Sequence, residues 1–295
     1  MLEQVGDILE LPLSYAAITV MFARLARSFP PPRLARGFSA ATPSFVEVNG
    51  QKFHVLSAGD ATAPPLLCMP GAMGTAETDW APQLEGLAAG GRRVISFDPR
   101  GYGQSRPPAR RFPHDYYHID AADAAGLMRA LGHERYDLMG WSDGANAGVI
   151  LAAQNAAAVR KLVVFGGNSY ITQEDIDAYE ATRDVAATWS KRMKASLEPI
   201  YGDDLQPMWS SFCDGMQAIF AAGGDICQAE ARSLACPTFV LGGEKDPIVP
   251  TNHPHWFAEN IPGARLHMFP EGKHNIHLRF ADEFNQLVLD FLKED

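Results

Sequence analysis

The sequence has no block of Lys and Arg. Its 25 basic residues are scattered among 35 acidic ones, for a formal net charge of −10. Such a chain offers no continuous cationic track for phosphates, which removes nucleic acid as an expected partner. Cysteine is equally sparse. Cys68, Cys213, Cys227 and Cys236 form no C-x-x-C pair and stand at no His spacing typical of zinc, so neither a disulfide framework nor a metal centre is expected, and a reducing compartment fits best. Cys68 lies in an apolar run and reads as a small buried side chain. The apolar stretch 11–22 is far shorter than the ~20 residues that span a bilayer. No basic segment precedes it, which argues against both a membrane span and a secretory signal. No internal repeat or low-complexity tract is found.

What is present is a chain rich enough in apolar side chains (46%, against 20% charged) to bury a substantial core. One domain is expected, a monomer, behind an N-terminal extension at residues 1–44. That extension carries Arg24, Arg27, Arg33 and Arg36 in an acid-free stretch, with Pro30, Pro31 and Pro32 among them, and ends in Arg36-Gly37-Phe38-Ser39. The pattern points to a mitochondrial transit segment; Glu3, Asp7 and Glu10 speak against it and leave a membrane-surface or packed helix, and a cytoplasmic protein, as the alternative.

From Phe45 onward, short β-rich runs at 52–57, 65–69, 93–97, 136–139, 161–165, 238–241 and 265–269 alternate with helical patterns at 81–89, 119–131 and 144–156. This is the signature of an α/β fold with a mostly parallel sheet covered by helices. Asn49-Gly50 supplies the positive φ values of a two-residue hairpin turn between 45–48 and the next strand. The alternation stops at 170–235, where the pattern is helical throughout. Trp189, Met193, Met208, Trp209, Phe212, Met216 and Phe220 make this insertion too apolar for a solvated connector. A helical lid over a substrate cavity is expected there, between core segments 45–169 and 236–295.

Directly after the fourth of these runs comes Gly140-Trp141-Ser142-Asp143-Gly144, and then a helix. A nucleophile on so sharp a strand-to-helix turn needs small neighbours, which makes Ser142 the candidate nucleophile. The helix N-terminus behind it favours a developing oxyanion. A serine hydroxyl needs a base, and the base an acid to hold its tautomer. His274, in the loop after the last strand, is the candidate base; His277 is the near rival but reads as structural, and His114, His118, His253 and His255 read as surface or turn residues. Asp246, straight after the penultimate strand, is the candidate acid, with Glu244 and Asp225 as alternatives. The order Ser142, Asp246, His274 is the one this type of hydrolase requires. Two backbone N–H groups should bind the oxyanion: that of Asp143 and one from Pro70-Gly71-Ala72-Met73-Gly74, with Ala72 the first choice and Met73 the second. The segment 98–105, another Gly-containing turn on the same edge, reads as structural. This mechanism requires no cofactor and no metal.

Glu271-Gly272-Lys273-His274-Asn275-Ile276-His277-Leu278-Arg279-Phe280-Ala281-Asp282-Glu283-Phe284, together with the stretches 71–78, 98–107, 140–144, 179–184 and 243–250, resembles the valacyclovir hydrolase (biphenyl hydrolase-like) family of the α/β-hydrolase superfamily. The resemblance runs from about Phe45 to the C-terminus. It implies a serine esterase that cleaves α-amino-acid esters, including amino-acid ester prodrugs of nucleosides, with Asp143 binding the substrate's α-amino group; homocysteine thiolactone is a further implied substrate. Asp143 also suits the first turn of a helix as a plain dipole partner. Ala145 stands where the family leads one to expect a glycine, and Ala72 where it leads one to expect a larger residue, which bears on pocket shape. Two rivals remain: a carbon-carbon bond hydrolase of the meta-cleavage-product type, whose carboxylate substrate Asp143 would repel, and a noncatalytic ligand-binding protein of the same fold.

Overall fold

The computed structural model describes residues 41–294, so the segment expected to direct the chain to mitochondria lies outside the described residues. The chain enters as a hairpin, β1 (Thr42–Val48) and β2 (Gln51–Ala58), around Asn49 (φ 53°) and Gly50 (φ 72°), both left-handed as this turn demands. Six further strands follow: β3 (Pro65–Met69), β4 (Arg93–Phe97), β5 (Tyr136–Trp141), β6 (Val159–Phe165), β7 (Thr238–Gly243) and β8 (Arg265–Phe269). They form one sheet of order β1-β2-β4-β3-β5-β6-β7-β8, parallel from β4 to β8 and antiparallel at the hairpin edge.

Side chains along the parallel strands alternate between two buried layers, so both faces of the sheet need cover. Leu67, Leu138, Leu162, Val164 and Val240 pack on one face with α2 (Tyr116–Ala130) and α3 (Asp143–Gln154); Leu66, Met139, Val163, Phe165 and Leu241 pack on the other with α1 (Ala76–Ala89) and α11 (Ala281–Lys293). Helix α1 starts five residues earlier than the sequence pattern indicates, because Thr75 and Thr78 form a reciprocal capping box.

Between β6 and β7 the chain is helical: α4 (Gln173–Ala181), α5 (Val185–Thr188), α6 (Lys191–Tyr201), α7 (Leu205–Ala221) and α8 (Gln228–Ser233). The start of this segment pairs with the stretch that follows α7 through a bridge between Tyr170 and Asp225. Its large side chains divide their contacts. Phe212 and Met216 join the main core, whereas Trp189, Tyr201 and Met208 form a separate cluster with Met73 and Tyr102, and Met193 is exposed. Helix α9 (Asn252–Asn260) joins β7 to β8, and the short α10 (Ile276–Arg279) precedes α11. Among the described residues, no helix is long and apolar enough to cross a membrane.

The strand order decides where chemistry can gather. After β3 the chain steps to β4 on one side and then crosses back to β5 on the other. The loops leaving β3 and β5 therefore diverge and leave a crevice at the carboxyl edge of the sheet. The loop after β3 carries Ala72, and the one after β5 carries Ser142.

Candidate active site

Ser142 sits between β5 and α3 with φ 54° and ψ −123°, a backbone conformation that L residues rarely adopt. Two glycines make the turn possible. A Cβ at Gly140 would lie 2.2 Å from the Gly144 carbonyl oxygen, and one at Gly144 would lie 2.1 Å from that of Met69.

The His274 ring bridges Ser142 and Asp246. Its Nε2 is 3.1 Å from Ser142 Oγ, and its Nδ1 is 2.8 Å from Asp246 Oδ2. The other oxygen of Asp246 accepts the amides of Ile248 (2.9 Å) and Val249 (3.0 Å). Burial pushes this carboxyl up, but His274 and the two amides outweigh burial and hold it below the usual carboxylate value. Trp141, the residue before the serine, donates its indole N–H to the His274 carbonyl at 2.9 Å and so fixes the histidine loop to the serine turn. Glu244 and Asp225 are exposed, and the carboxylate that His274 bonds is that of Asp246.

Of the other histidines, His277 is fully buried, donates from Nε2 to the Asp79 carbonyl at 3.0 Å, and has its pKa pushed down to about 3 by burial. It is a core residue, in keeping with the sequence reading. His114 and His255 are exposed, and His118 is partly so. His253 corrects the sequence reading: it is neither a surface nor a turn residue. Its side chain is completely buried in α9, 3.1 Å from the buried Asp175 of α4, because α4 packs its capping aspartate against that helix. Nothing near His253 in sequence reveals this partner, 78 residues away.

Asp143 is buried beside the serine, and two adjacent phenols on α2 point at it: Tyr117 donates to Oδ1 (3.0 Å) and Tyr116 to Oδ2 (3.1 Å). Burial pushes its pKa up to about 6, against the opposing pull of Arg110 and the two phenols. Arg110 is itself committed to Asp120 through two bonds of 2.7 and 2.6 Å. Neither tyrosine is marked by the sequence. The only signal is the general rule that a buried phenol seeks an acceptor.

The loop after β3 is a turn closed by Gly74 N–H to the Gly71 carbonyl (3.0 Å), with Met73 at φ 59° in a position where glycine is usual. Among the described residues, the amides of Ala72 and Asp143 have no hydrogen-bond acceptor, whereas that of Met73 faces the Tyr102 hydroxyl. Ala72 faces a cavity of about 350 Å³ that is also lined by Ser142, Asp143 and His274 and walled by Tyr179, Trp189, Trp209 and Phe212 from the segment between β6 and β7. Ala145, the other departure from the expected pattern, is fully buried. Its Cβ lies 2.7 Å from where a side chain at Gly167 would begin, so the extra methyl is accommodated by a glycine opposite. Segment 98–105 is structural: Asp98 accepts the amides of Ala76 (2.9 Å) and Gln104 (2.8 Å).

A model of the alpha/beta hydrolase family matches residues 66–287. Serine hydrolase BPHL of Mus musculus is 44% identical over 257 residues, spanning 86% of this chain and 88% of that protein. The Homo sapiens protein of the same name is 43% identical over the same shares. Among solved structures, the enol-lactonase from Burkholderia xenovorans LB400 superposes with a TM-score of 0.69 at 25% identity, covering 85% of this chain and 100% of that one. Fold, site geometry and these likenesses agree: the chain belongs to the alpha/beta hydrolase family and is a serine hydrolase similar to BPHL.

Proposed function

We propose that the protein hydrolyses α-amino-acid esters through an acyl-serine intermediate. Ser142 attacks the ester carbonyl while His274 Nε2 takes its proton, and Asp246 holds the ring in the tautomer that can accept it. The developing oxyanion is met by the Asp143 amide and by an amide of the turn after β3, Ala72 in the first instance. His274 then protonates the leaving alcohol, and water repeats the sequence to release the amino acid. The helices between β6 and β7 act as a lid whose aromatic underside receives the acyl side chain, while the open side tolerates varied alcohols, nucleosides among them.

The observation that carries the substrate class is the Asp143 carboxylate. It lines the same cavity as Ser142, and each of its oxygens takes one protein donor, which leaves lone pairs for a substrate ammonium. A carboxylate next to the nucleophile cannot stabilise an oxyanion through its side chain, but it can pair with an amine one carbon from the scissile carbonyl. A charge-assisted bond of roughly 1.5–3 kcal/mol favours aminated esters by about one to two decades. The test is kcat/KM for a valine ester against the matching ester without the amine, in wild type and Asp143→Ala. A preference of 10-fold or more that collapses in the variant is expected. If neither protein prefers the amine, the substrate class is wrong, and activity on a vinylogous diketone acid instead would favour the carbon-carbon hydrolase.

A further inference from the structure

The turn assigned to the oxyanion is held by a buried acid that the mechanism above does not use. Asp79 lies in the first turns of α1, 5% exposed. Its Oδ2 accepts the Gly71 amide at 2.9 Å and its Oδ1 accepts the Thr78 hydroxyl at 2.8 Å. The same carboxylate fills the place of a side chain at Gly74, where a Cβ would stand 1.8 Å from Oδ2. One group thus lies against both ends of the turn.

This fixes the direction of the amide between them. Gly71 O points inward, to the Gly74 N–H. In a trans peptide the N–H points opposite to the C=O, so the Ala72 N–H is turned outward. Asp79 also reaches the rest of the site through its main chain. Its carbonyl accepts from His277, three residues after His274, and the His277 ring packs 4.6 Å from that of Trp141, next to Ser142. Gln83, one turn further along α1, donates to the His277 carbonyl at 2.8 Å. One end of α1 therefore holds the loop after β3 directly and, through His277 of α10, reaches Trp141 at the end of β5.

A carboxylate is a costly way to hold a turn here. Burial pushes its pKa up to about 7, against the pull of the Thr78 hydroxyl and the Gly71 amide, and among the described residues no Lys or Arg pairs with it. Groups kept at such a cost concentrate at working sites.

We infer that Asp79 is a positioning residue for hydrolysis, aiming the Ala72 amide at the substrate's acyl oxygen through its bond to Gly71. The inference rests on the serine mechanism proposed above but not on the amine site, so it is tested with p-nitrophenyl acetate, which has no amine. Asp79→Ala is expected to lower kcat by about 10- to 100-fold, less than loss of a whole oxyanion donor, with KM within about threefold. Asp79→Asn, whose carbonyl can still accept from Gly71, should stay within about fivefold of wild type. Affinity for a boronic acid transition-state mimic should fall with kcat in Asp79→Ala, while affinity for an unreactive amide analogue of the substrate holds. If Asp79→Ala does not fold, Asp79→Leu, of similar size and without an acceptor, takes its place. An unchanged kcat in the variant lacking an acceptor, an Asn variant as impaired as that one, or parallel loss of both affinities overturns the assignment. Fluorophosphonate labelling separates the two levels of failure. Wild type labelled at a site that survives Ser142→Ala sinks the serine mechanism itself, whereas labelling confined to Ser142 with a fully active Asp79→Ala sinks only the role of Asp79.

Discussion

Two carboxylates flank Ser142, and the fold treats them in opposite ways. On the β7–β8 side, Asp246 accepts two amides and a histidine, and these partners hold its pKa below the usual carboxylate value despite burial. On the α2 side, Asp143 is bonded, among the described residues, only by the two phenols, with Arg110 turned to Asp120, and burial wins: its pKa rises to about 6. The first environment keeps a charge in place whatever is bound. The second leaves a charge under-solvated until a cation arrives. A group of the first kind suits a fixed part of the machinery, and one of the second suits a receptor for part of the substrate.

The comparison breaks most sharply at Asp246. Asp246→Asn keeps the shape but offers His274 an amide in place of a charged acceptor, and kcat should fall by about 10³- to 10⁴-fold. The loss should be equal for esters with and without an α-amino group, because Asp246 does not touch the substrate. Unequal losses, measured as kcat/KM on the matched pair, would show that the two sides of the site are not separable.

The part of this contrast that lies in Asp246 was legible in the sequence, and the part that lies in Asp143 was only half so. Ser142, Asp246 and His274 each follow a β-run at the same sheet edge, and a sheet periodicity plus chain order are enough to bring them together. The hairpin at Asn49-Gly50 was legible for the same reason, since a two-residue turn is encoded by its own two residues. What surrounds Asp143 is not local. Tyr116 and Tyr117 lie 27 and 26 positions away on a helix whose rotation is set by core packing. The bond from Gly71 to Asp79, the left-handed Met73, and the burial of His253 against Asp175 likewise depend on how elements pack, which no window of sequence contains.

A smaller effect separates the carboxylates by pH. Both kinds of ester would use the same triad, so the ratio of their kcat/KM values cancels what the triad contributes and isolates Asp143. The ratio should rise by about tenfold as pH climbs through about 6 and Asp143 ionises. It should fall again as the substrate's ammonium loses its proton near pH 8. In Asp143→Ala the ratio should be flat. A wild-type ratio that does not change between pH 5 and 7 would rule out ionised Asp143 as the partner of the amine.

The smallest effect concerns stability, and here the carboxylates should differ in sign. The folded-state pKa of Asp143, about 6, lies above the ordinary value of 3.8. A raised pKa contributes stability that is fully present below the unfolded value and is lost as pH rises through the folded one. At pH 7.5 the folded protein therefore bears the whole cost of an ionised, buried Asp143, and Asp143→Asn should melt several degrees higher than wild type. The gap should close as pH approaches 4, where the wild-type carboxyl is protonated in the folded state. For Asp246 the lowered pKa reverses the argument: its stabilisation is present at neutral pH and fades as pH falls, so Asp246→Asn should melt lower than wild type at pH 7.5. Thermal melts of the two variants across pH 4–7.5 decide the matter. If both melt below wild type at pH 7.5, Asp143 is held as comfortably as Asp246, and its burial is not a cost retained for binding.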